Sequence, residues 1–343
     1  MLKTGAFPAF PDLFPFFTRL RFLILHVSFT ITSFSDEDEK NPDIHSKNVK
    51  KEEKINMNKI AKIAALAALT LTCVASTACA DFSADKSITV ISREEGSGTR
   101  GAFVELTGVE QKIDGQKVDM TTDDAQITNN TAAMLMTVAG DTQAIGYVSL
   151  GSLNETVKAV KIEGVEATAQ NVADGSYKIA RPFNIAYKAD GQSDLSKDFI
   201  AYVMSAEGQA IINENGYVGS SDAAAYAANG ASGKLVVGGS SSVSPVMAKL
   251  IEAYKAVNAN ADIELLTSDS TTGMTSAIEG TYDIGMASRE LKEDEAAALA
   301  HQAIAMDGIA VIVNLENPTE DMTVEQIASI FLGDATKWNE MVK

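Results

Sequence analysis

The sequence predicts an α/β fold with mainly parallel sheets flanked by helices. Short β-type runs alternate with helical patterns from residue 87 to residue 331, which is the order of elements that builds parallel sheets. Glycine- or hydroxyl-rich segments stand where these strands end and where helices start, and parallel strands end at a common edge of a sheet. With 45% hydrophobic residues, the chain also has enough apolar side chains for a sizeable core.

Residues 57–80 have the pattern of a signal peptide. A basic start is followed by an apolar core of Ala, Leu and Ile and then by small residues. Cleavage after Ala80 would release a secreted or periplasmic protein. Alternatively, Cys79 is the lipidated cysteine of a lipoprotein anchored to the membrane, with Ser76 standing where a leucine is usual. Both interpretations predict an exported, extracytoplasmic protein.

Residues 1–56 are interpreted as a wrongly extended upstream reading frame, expected to be disordered, with translation starting at Met57. The apolar run at 14–34 leaves a transmembrane helix as the weaker interpretation, since no targeting logic places such a helix before a second signal. Mass spectrometry that finds peptides from this segment would contradict the reading-frame hypothesis.

Beyond residue 80, strands and helices are expected in alternation. The expected strands are 87–91, 145–148, 181–187, 234–237, 262–266, 282–287 and 304–313. The expected helices are 101–108, 131–140, 195–203, 207–214, about 245–254, one within 267–278, 292–300 and 324–331. A glycine at 115 favours a loop or hairpin over 109–120, and the small, polar stretch 220–232 is interpreted as a linker.

The segment 92–103, with the sequence SREEGSGTRGAF, combines a strand end, a glycine-containing turn and a helix start. Gly96 and Gly98 allow the backbone to approach a ligand closely, and Ser97 and Thr99 add hydroxyl groups. The free N–H groups of the first helical turn would point the same way, which makes an anion site. A glycine-containing turn of this kind, taken alone, is more often an ordinary connection between a strand and a helix.

Three further segments repeat this chemistry. They are 236–246, with three consecutive serines, and the stretches 267–278 and 283–291. Each alone is compatible with a solvated helix N-cap. Their recurrence favours one oxyanion held jointly by hydroxyls and backbone amides.

Together the four segments resemble those of the phosphate-binding protein of bacterial phosphate ABC transporters. The R-S-D-G-S-G-T loop of that family corresponds to 93–99, and its G-x-S/T-x-x-x-P loop corresponds to 239–245. Its S-G-G-type helix start corresponds to 270–273, and its D-F-G-A-S-D segment to 283–288. The resemblance covers nearly all of residues 86–343. It implies a two-lobed, periplasmic-binding-protein-like fold of type II that holds phosphate in the cleft between the lobes and serves an ABC transporter permease.

The chain departs from the family pattern in two respects. Ser288 stands where the family commonly carries an aspartate, so an acceptor for a ligand proton is missing there. The order of the segments is also reversed, and joining 337–340 to 87–90 would restore the family order. The sequence is therefore interpreted as circularly permuted, with the linker joining what would be the family's two termini.

The resemblance also implies the lobes and the ligand residues. Lobe one would be 183–307, with the linker at 220–233, and lobe two would be 85–182 plus 308–343, with hinges at 180–183 and 306–308. The ligand residues implied are Ser241, Ser242, Ser270, Thr271 and Ser288 in lobe one, and Arg93, Glu95, Ser97, Gly98 and Thr99 in lobe two.

Two of these residues carry charge. Arg93 would give two parallel bonds to the oxyanion, the alternative being a surface salt bridge with a nearby glutamate. Glu95 would accept a bond from protonated phosphate and so reject sulfate, which has no proton to give at neutral pH. If Glu94 points inward instead, the match to the family loop is displaced by one residue.

Composition excludes other classes of function. With 46 acidic against 28 basic residues and a net charge of −18, the chain is not suited to bind nucleic acid. Both cysteines lie in the first 80 residues, and His301 is the one histidine beyond them. No disulfide, metal site, catalytic triad or cofactor is therefore expected, which disfavours an enzyme acting on a phosphate ester.

Alternatives to phosphate transport remain open. The chain could bind another tetrahedral oxyanion, such as sulfate or molybdate, or act as a surface phosphate sensor without a transport role. We expect a monomer, and the reversed order of segments also allows a domain-swapped dimer.

Overall fold

The structure, a computed structural model, describes residues 81–341. The expected signal peptide at 57–80, the lipidation candidate Cys79 and the upstream segment 1–56 lie outside the described residues. Within residues 81–341, no helix combines the length and the apolar composition needed to cross a bilayer.

Strands and helices alternate through most of the described chain. The strands are β1 Thr89–Arg93, β2 Glu110–Ile113, β3 Gln116–Asp119, β4 Gln126–Thr128, β5 Ala144–Ser149, β6 Val157–Ala159, β7 Lys161–Ile162, β8 Ala180–Tyr187, β9 Gly233–Ser240, β10 Ala261–Ser268, β11 Ile284–Ala287, β12 Ala300–Asn314 and β13 Asp321–Met322. The helices are α1 Gly98–Thr107, α2 Thr131–Gly140, α3 Ala169–Ala173, α4 Asp194–Val203, α5 Ala206–Glu214, α6 Ser244–Val257, α7 Ser270–Glu279, α8 Glu293–Ala298 and α9 Val324–Leu332. Short 3₁₀ turns occupy Leu150–Ser152 and Trp338–Glu340. The stretch expected to be a loop or a hairpin is a hairpin, because β2 and β3 pair antiparallel.

One continuous sheet organises these elements, in the strand order β10-β9-β11-β8-β12-β5-β1-β4, with β6 also paired to β12. The pairs at the two ends are parallel, β10 and β11 with β9, and β4 and β5 with β1. The central strands β8 and β12 pair antiparallel with each other and with their neighbours. The α/β fold is confirmed, but the sheet is mixed rather than mainly parallel. The reason is that β8 and β12 run antiparallel to each other, and each also runs antiparallel to its other neighbour in the sheet.

β12 belongs to both halves of the molecule. Its first part, 300–308, pairs with β8, and its second part, 309–314, pairs with β5 and β6. This division agrees with the apolar packing. One buried cluster draws its members from between Phe183 and Ala305, and another draws them from the stretches 90–179 and 309–338. We use the names lobe one and lobe two for the regions around these two clusters.

Each lobe packs its own set of buried side chains. Phe199, Ile212 and Leu250 are at most 1% exposed in lobe one, and Phe103 and Phe331 are fully buried in lobe two. Complete burial of one such side chain contributes about 1.5–3 kcal/mol. The lobes therefore have separate cores that meet through β8 and β12.

The stretch between α5 and β9 is not a free linker. Tyr226 donates from its hydroxyl to buried Asp198 over 2.8 Å and packs edge-on against Tyr202. Ala206 N–H donates to Ala224 carbonyl, and Asn258 Nδ2 donates to Ala231 carbonyl. These contacts could not be predicted from the small, polar composition of the stretch, because they are made by one tyrosine side chain and by backbone carbonyls.

Residues near the two ends of the described chain lie side by side. Ile88 N–H donates to Thr336 carbonyl over 2.8 Å, and Asn339 N–H donates to Ala84 carbonyl over 3.0 Å. Ser87 and Lys337 form an isolated antiparallel bridge. A short connection would therefore be enough to join these two segments.

Candidate functional site

Four helices begin at one buried point between the lobes. α1 follows β1, α2 follows β4, α6 follows β9 and α7 follows β10 along the chain. Because β1 is parallel to β4 and β9 is parallel to β10, each pair of strands ends at one edge of the sheet. The first turns of the helices bring backbone N–H groups without partners inside their own helix, together with positive dipole ends, and such termini attract anions.

Hydroxyl side chains from both lobes meet at this point. Thr99 Oγ1, at the start of α1, lies 2.8 Å from Ser242 Oγ and 3.3 Å from Ser288 Oγ. Thr131 Oγ1, at the start of α2, lies 3.3 Å from the Oγ atoms of both Ser241 and Ser242. We call the following buried set the hydroxyl cluster: Thr99, Thr131, Ser240, Ser241, Ser242, Ser270 and Ser288.

Ser288 links the members from lobe one. Its Oγ accepts a hydrogen bond from Ser240 Oγ over 3.0 Å, and its backbone N–H donates to Ser270 Oγ over 3.1 Å. Ser270 and Ser288 have no solvent exposure. The hydroxyls therefore form a continuous network across the junction of the lobes.

Gly98 allows the lobes to approach so closely. A Cβ atom at this position would collide with Ser270 Oγ and lie 2.8 Å from Ser288 Oγ. At Gly96, a Cβ atom would collide with the carboxylate of Asp269, which caps α7. Thr271 N–H also donates to Gly96 carbonyl over 3.2 Å. The two glycines of the first segment thus give space to the opposite lobe.

Arg93 lies at the end of β1 and is 2% exposed. Its Nη2 donates to Ser241 Oγ over 3.0 Å, and its Nη1 lies 3.5 Å from Thr131 Oγ1. Its Nε and Nη2 also donate to the two carboxylate oxygens of Glu94, over 2.8 and 2.7 Å. Arg93 therefore contacts the hydroxyl cluster, with one edge of its guanidinium already paired with a carboxylate.

The structure does not bring Glu95 into the hydroxyl cluster. Its side chain is exposed and lines a cavity of about 770 Å³ that opens beside α1. Glu94 is the carboxylate that touches Arg93. The cause is local, because the turn after β1 folds Glu94 back on Arg93 and leaves its neighbour facing solvent.

Ser97 and Thr271 line the same cavity as Glu95. Ser97 Oγ accepts a bond from Arg100 N–H over 3.3 Å and caps α1. Arg289 Nη2 donates to Thr271 Oγ1 over 3.4 Å. The structure thus groups Arg93, Gly98 and five hydroxyl residues of the predicted set, and leaves Glu95, Ser97 and Thr271 at the cavity.

Sequence reasoning missed Thr131, Ser240 and Arg181. The helix start at Thr131 was expected, but Thr131 lies outside the four glycine- or hydroxyl-rich segments, and Ser240 stands beside two predicted serines. Arg181 Nη2 donates to Thr99 Oγ1 over 2.9 Å, and its Nε donates to Ser288 carbonyl over 2.9 Å. No local motif marks Arg181, since its position depends on the pairing of β8 with β12.

Tyr147 contacts the end of β1 through its hydroxyl. Its hydroxyl lies 2.9 Å from Ser92 Oγ and accepts a bond from Arg93 N–H over 3.3 Å. Its ring stacks on Phe103 with the centroids 4.0 Å apart. Burial raises the pKa of Tyr147 to about 12, so its hydroxyl stays neutral near pH 7.

The arrangement is suited to holding an anion by hydrogen bonds. Hydroxyls, helix N-termini and buried guanidinium groups are donors, and in this low-dielectric environment each donor interacts strongly with negative charge. Within the part of the chain that the structure describes, no three His, Cys, Asp or Glu side chains group as metal ligands.

Comparison with known proteins agrees with this chemistry. The sequence profile of the PBP superfamily domain matches residues 44–207 and 224–342. A Streptococcus agalactiae protein named phosphate-binding protein PstS 2 is 53% identical over 258 residues, which are 75% of this chain and 88% of that protein. A Streptococcus pneumoniae protein of the same name is 43% identical over 290 residues, 82% of this chain and 99% of that protein.

A solved structure is similar as well. The crystal structure of the phosphate-binding protein of a phosphate ABC transporter from Streptococcus pneumoniae superposes with a TM-score of 0.61 at 44% identity. The superposition covers 74% of this chain and 99% of that one. The alignment with the curated pneumococcal relative spans 99% of its length, so the two proteins share the order of their segments.

Proposed function

The chain belongs to the PBP superfamily, and we propose that it captures inorganic phosphate at the hydroxyl cluster and delivers it to the permease of an ABC transporter. Relatives named phosphate-binding proteins at 43–53% identity support phosphate as the ligand. In this proposal the protein acts as a binder without catalysing a reaction. It works outside the cytoplasm as a monomer, either released after Ala80 or lipidated at Cys79.

The observation that carries the proposal is the convergence of helix N-termini, buried hydroxyls and arginines at one point. A tetrahedral oxyanion accepts many hydrogen bonds from different directions, and the hydroxyl cluster supplies donors from both lobes. The acidic surface does not oppose capture, because distant charges are screened by salt while buried dipoles are not.

Delivery requires the lobes to open and close. We propose that 183–307 and the two flanking parts, 85–182 and 308–343, move about the crossing strands near 180–183 and 306–308. Separate apolar cores on either side support this division. The permease would recognise the closed arrangement, in which Thr99 and Ser242 are in contact.

We also propose that the chain is circularly permuted relative to the family pattern with an amino-terminal serine loop. The adjacency of Ile88 and Thr336 supports this, because it makes that junction short to close. The streptococcal relatives would share the permuted order.

Calorimetric titration of the ligand-stripped protein with phosphate and then with sulfate tests the proposal. We expect one-to-one phosphate binding with a Kd in or below the micromolar range, about −8 kcal/mol or more favourable. A folded protein that binds neither anion would contradict phosphate capture.

A wider specificity is favoured by one observation. Ser288 supplies a hydroxyl where the family commonly carries an aspartate, and no carboxylate belongs to the hydroxyl cluster as the structure describes it. Sulfate lacks a proton and needs no such acceptor. Comparable sulfate and phosphate affinities would establish a general tetrahedral-oxyanion binder.

A further inference from the structure

Arg181 is held at the boundary of the two lobes. It lies on β8, is 3% exposed, and stands directly opposite Asp307 of β12 in the antiparallel register. Its Nη1 forms an ion pair with Asp307 Oδ2, and the guanidinium lies 5.0 Å from the centre of the Phe183 ring. The side chain is therefore fixed by strand pairing, by a buried carboxylate and by an aromatic face.

The free edge of this guanidinium reaches the hydroxyl cluster in both lobes. Nε donates to the carbonyl of Ser288 in lobe one, and Nη2 donates to Thr99 Oγ1 in lobe two, both over 2.9 Å. Arg181 thereby connects the lobes through the same two residues that contact each other at 3.3 Å.

The hydrogen bond from Arg181 to Thr99 determines where the hydroxyl hydrogen of Thr99 points. A hydroxyl has one hydrogen and two lone pairs, whereas a guanidinium can only donate. Thr99 Oγ1 must therefore accept from Arg181, and its single hydrogen is left for an acceptor on the other side. Ser242 Oγ, 2.8 Å away, occupies that side in this structure.

We infer that Arg181 is a positioning residue of the anion site, which holds Thr99 so that its hydroxyl donates to the bound oxyanion. Asp307 keeps Arg181 in place for this role. The inference rests on the proposed phosphate capture, and it adds a residue that lies outside the four glycine- and hydroxyl-rich segments.

A double-mutant cycle between Arg181 and Thr99 tests the inference. Because Arg181→Gln alone would leave Asp307 buried and unpaired, the substitution is made together with Asp307→Asn, which gives a neutral, hydrogen-bonding pair. Phosphate titrations are compared for the wild type, Thr99→Val, Arg181→Gln/Asp307→Asn and the triple variant, with the melting temperature of each as the control for folding.

We expect the neutral pair to weaken phosphate binding about 10- to 100-fold, the usual loss for a hydrogen bond to a charged group. Thr99→Val should then cost much less in the neutral-pair background than in the wild type, because the hydroxyl is no longer oriented. Equal losses from Thr99→Val in both backgrounds would show independent contributions and would overturn the inference.

Arg181→Lys provides a second variant that keeps the charge beside Asp307. Lysine lacks the planar fork, so it cannot pair with Asp307 and hold Thr99 in the same geometry. We expect an affinity loss of about tenfold with a melting temperature near that of the wild type. An unchanged phosphate affinity would overturn the positioning role.

These outcomes separate the two proposals. Failure of the folded wild type to bind phosphate contradicts the proposed function itself. Wild-type binding that survives both Arg181 substitutions leaves phosphate capture standing and removes only the role of Arg181.

Discussion

Arg93 and Arg181 donate to the same hydroxyl cluster, but they are held in different ways. The carboxylate that pairs with Arg93 belongs to the next residue, Glu94, and is 21% exposed, whereas Asp307 is fully buried and 126 positions from Arg181. The first pair lies within one lobe, and its carboxylate is partly exposed to solvent. The second pair joins the two strands that connect the lobes, and it has no access to solvent that would compensate a lost partner.

Two arginines with similar contacts to the hydroxyl cluster can therefore have different roles. The Glu94 carboxylate is partly exposed, so water can solvate it if an anion replaces it on Arg93. The pair of Arg181 and Asp307 cannot separate without leaving a buried charge, so it is fixed.

The largest expected effect is on stability. Asp307→Ala leaves the guanidinium of Arg181 buried without its carboxylate, and we expect the free energy of unfolding to fall by about 3–5 kcal/mol. Glu94→Ala, the matched change at the other arginine, should cost less than Asp307→Ala, because Glu94 is 21% exposed and already partly solvated, although Arg93 itself is buried. Urea denaturation of both variants measures the difference, and similar losses would contradict the contrast between the pairs.

The two pairs also differ in what the sequence could predict. Arg93 belongs to a contiguous loop whose glycines and hydroxyls indicate an anion site. The helix at 131–140 is confirmed with the predicted bounds. Arg181 was assigned to a strand at 181–187, which is confirmed as β8. Its contact with Thr99 could not be predicted, because it depends on the register of β8 against β12 across more than one hundred residues.

Local sequence also could not decide between Glu94 and Glu95. The two residues have the same chemistry, and the family motif favoured the second. The choice depends on the backbone of one turn, which folds Glu94 onto Arg93 and exposes its neighbour. The mixed sheet was missed for a related reason, since strand direction follows from connections through the whole chain.

The next largest effect tests the approach of the lobes that brings both arginines to one cluster. Gly98→Ala places a methyl group against Ser270 Oγ and Ser288 Oγ, and we expect phosphate affinity to fall about 10- to 100-fold through overpacking. Gly101→Ala, three residues along α1, is the matched control, because its Cβ atom would meet only Arg289 Cδ at 3.7 Å. Equal titration curves for the two variants would show that the contact of the lobes does not matter for binding.

A smaller effect separates the two glutamates. Glu94→Gln removes the negative charge that competes for Arg93, so binding of phosphate and of sulfate should tighten about fivefold, near 1 kcal/mol. Glu95→Gln should change either affinity by less than about twofold, because the side chain faces solvent. If Glu95→Gln instead abolishes the preference for phosphate over sulfate, Glu95 is the proton acceptor that the family resemblance implies.

The smallest effect concerns a third arginine–carboxylate pair, which lies within lobe one and outside the hydroxyl cluster. Arg289 donates to both oxygens of Glu295 over 2.7 and 2.8 Å, and Lys292 N–H donates to the same carboxylate. Burial raises the pKa of Glu295, but the bonds from Arg289 and Lys292 outweigh burial and hold it below the ordinary value of 4.5.

A carboxyl group whose pKa is lowered by folding stabilises the protein above its unfolded-state pKa, and that contribution is lost as the pH falls through the lower, folded-state value. Glu295→Gln should therefore reduce the free energy of unfolding by about 0.5–1 kcal/mol at pH 7, with a difference from the wild type that shrinks below about pH 4. Urea denaturation across this pH range measures it, and a difference independent of pH would mean that packing, not charge, is lost. This pair contacts neither the hydroxyls of lobe two nor the part of β12 that passes between the lobes. Its loss should therefore leave the difference in stability effect between the Arg93 and Arg181 pairs unchanged.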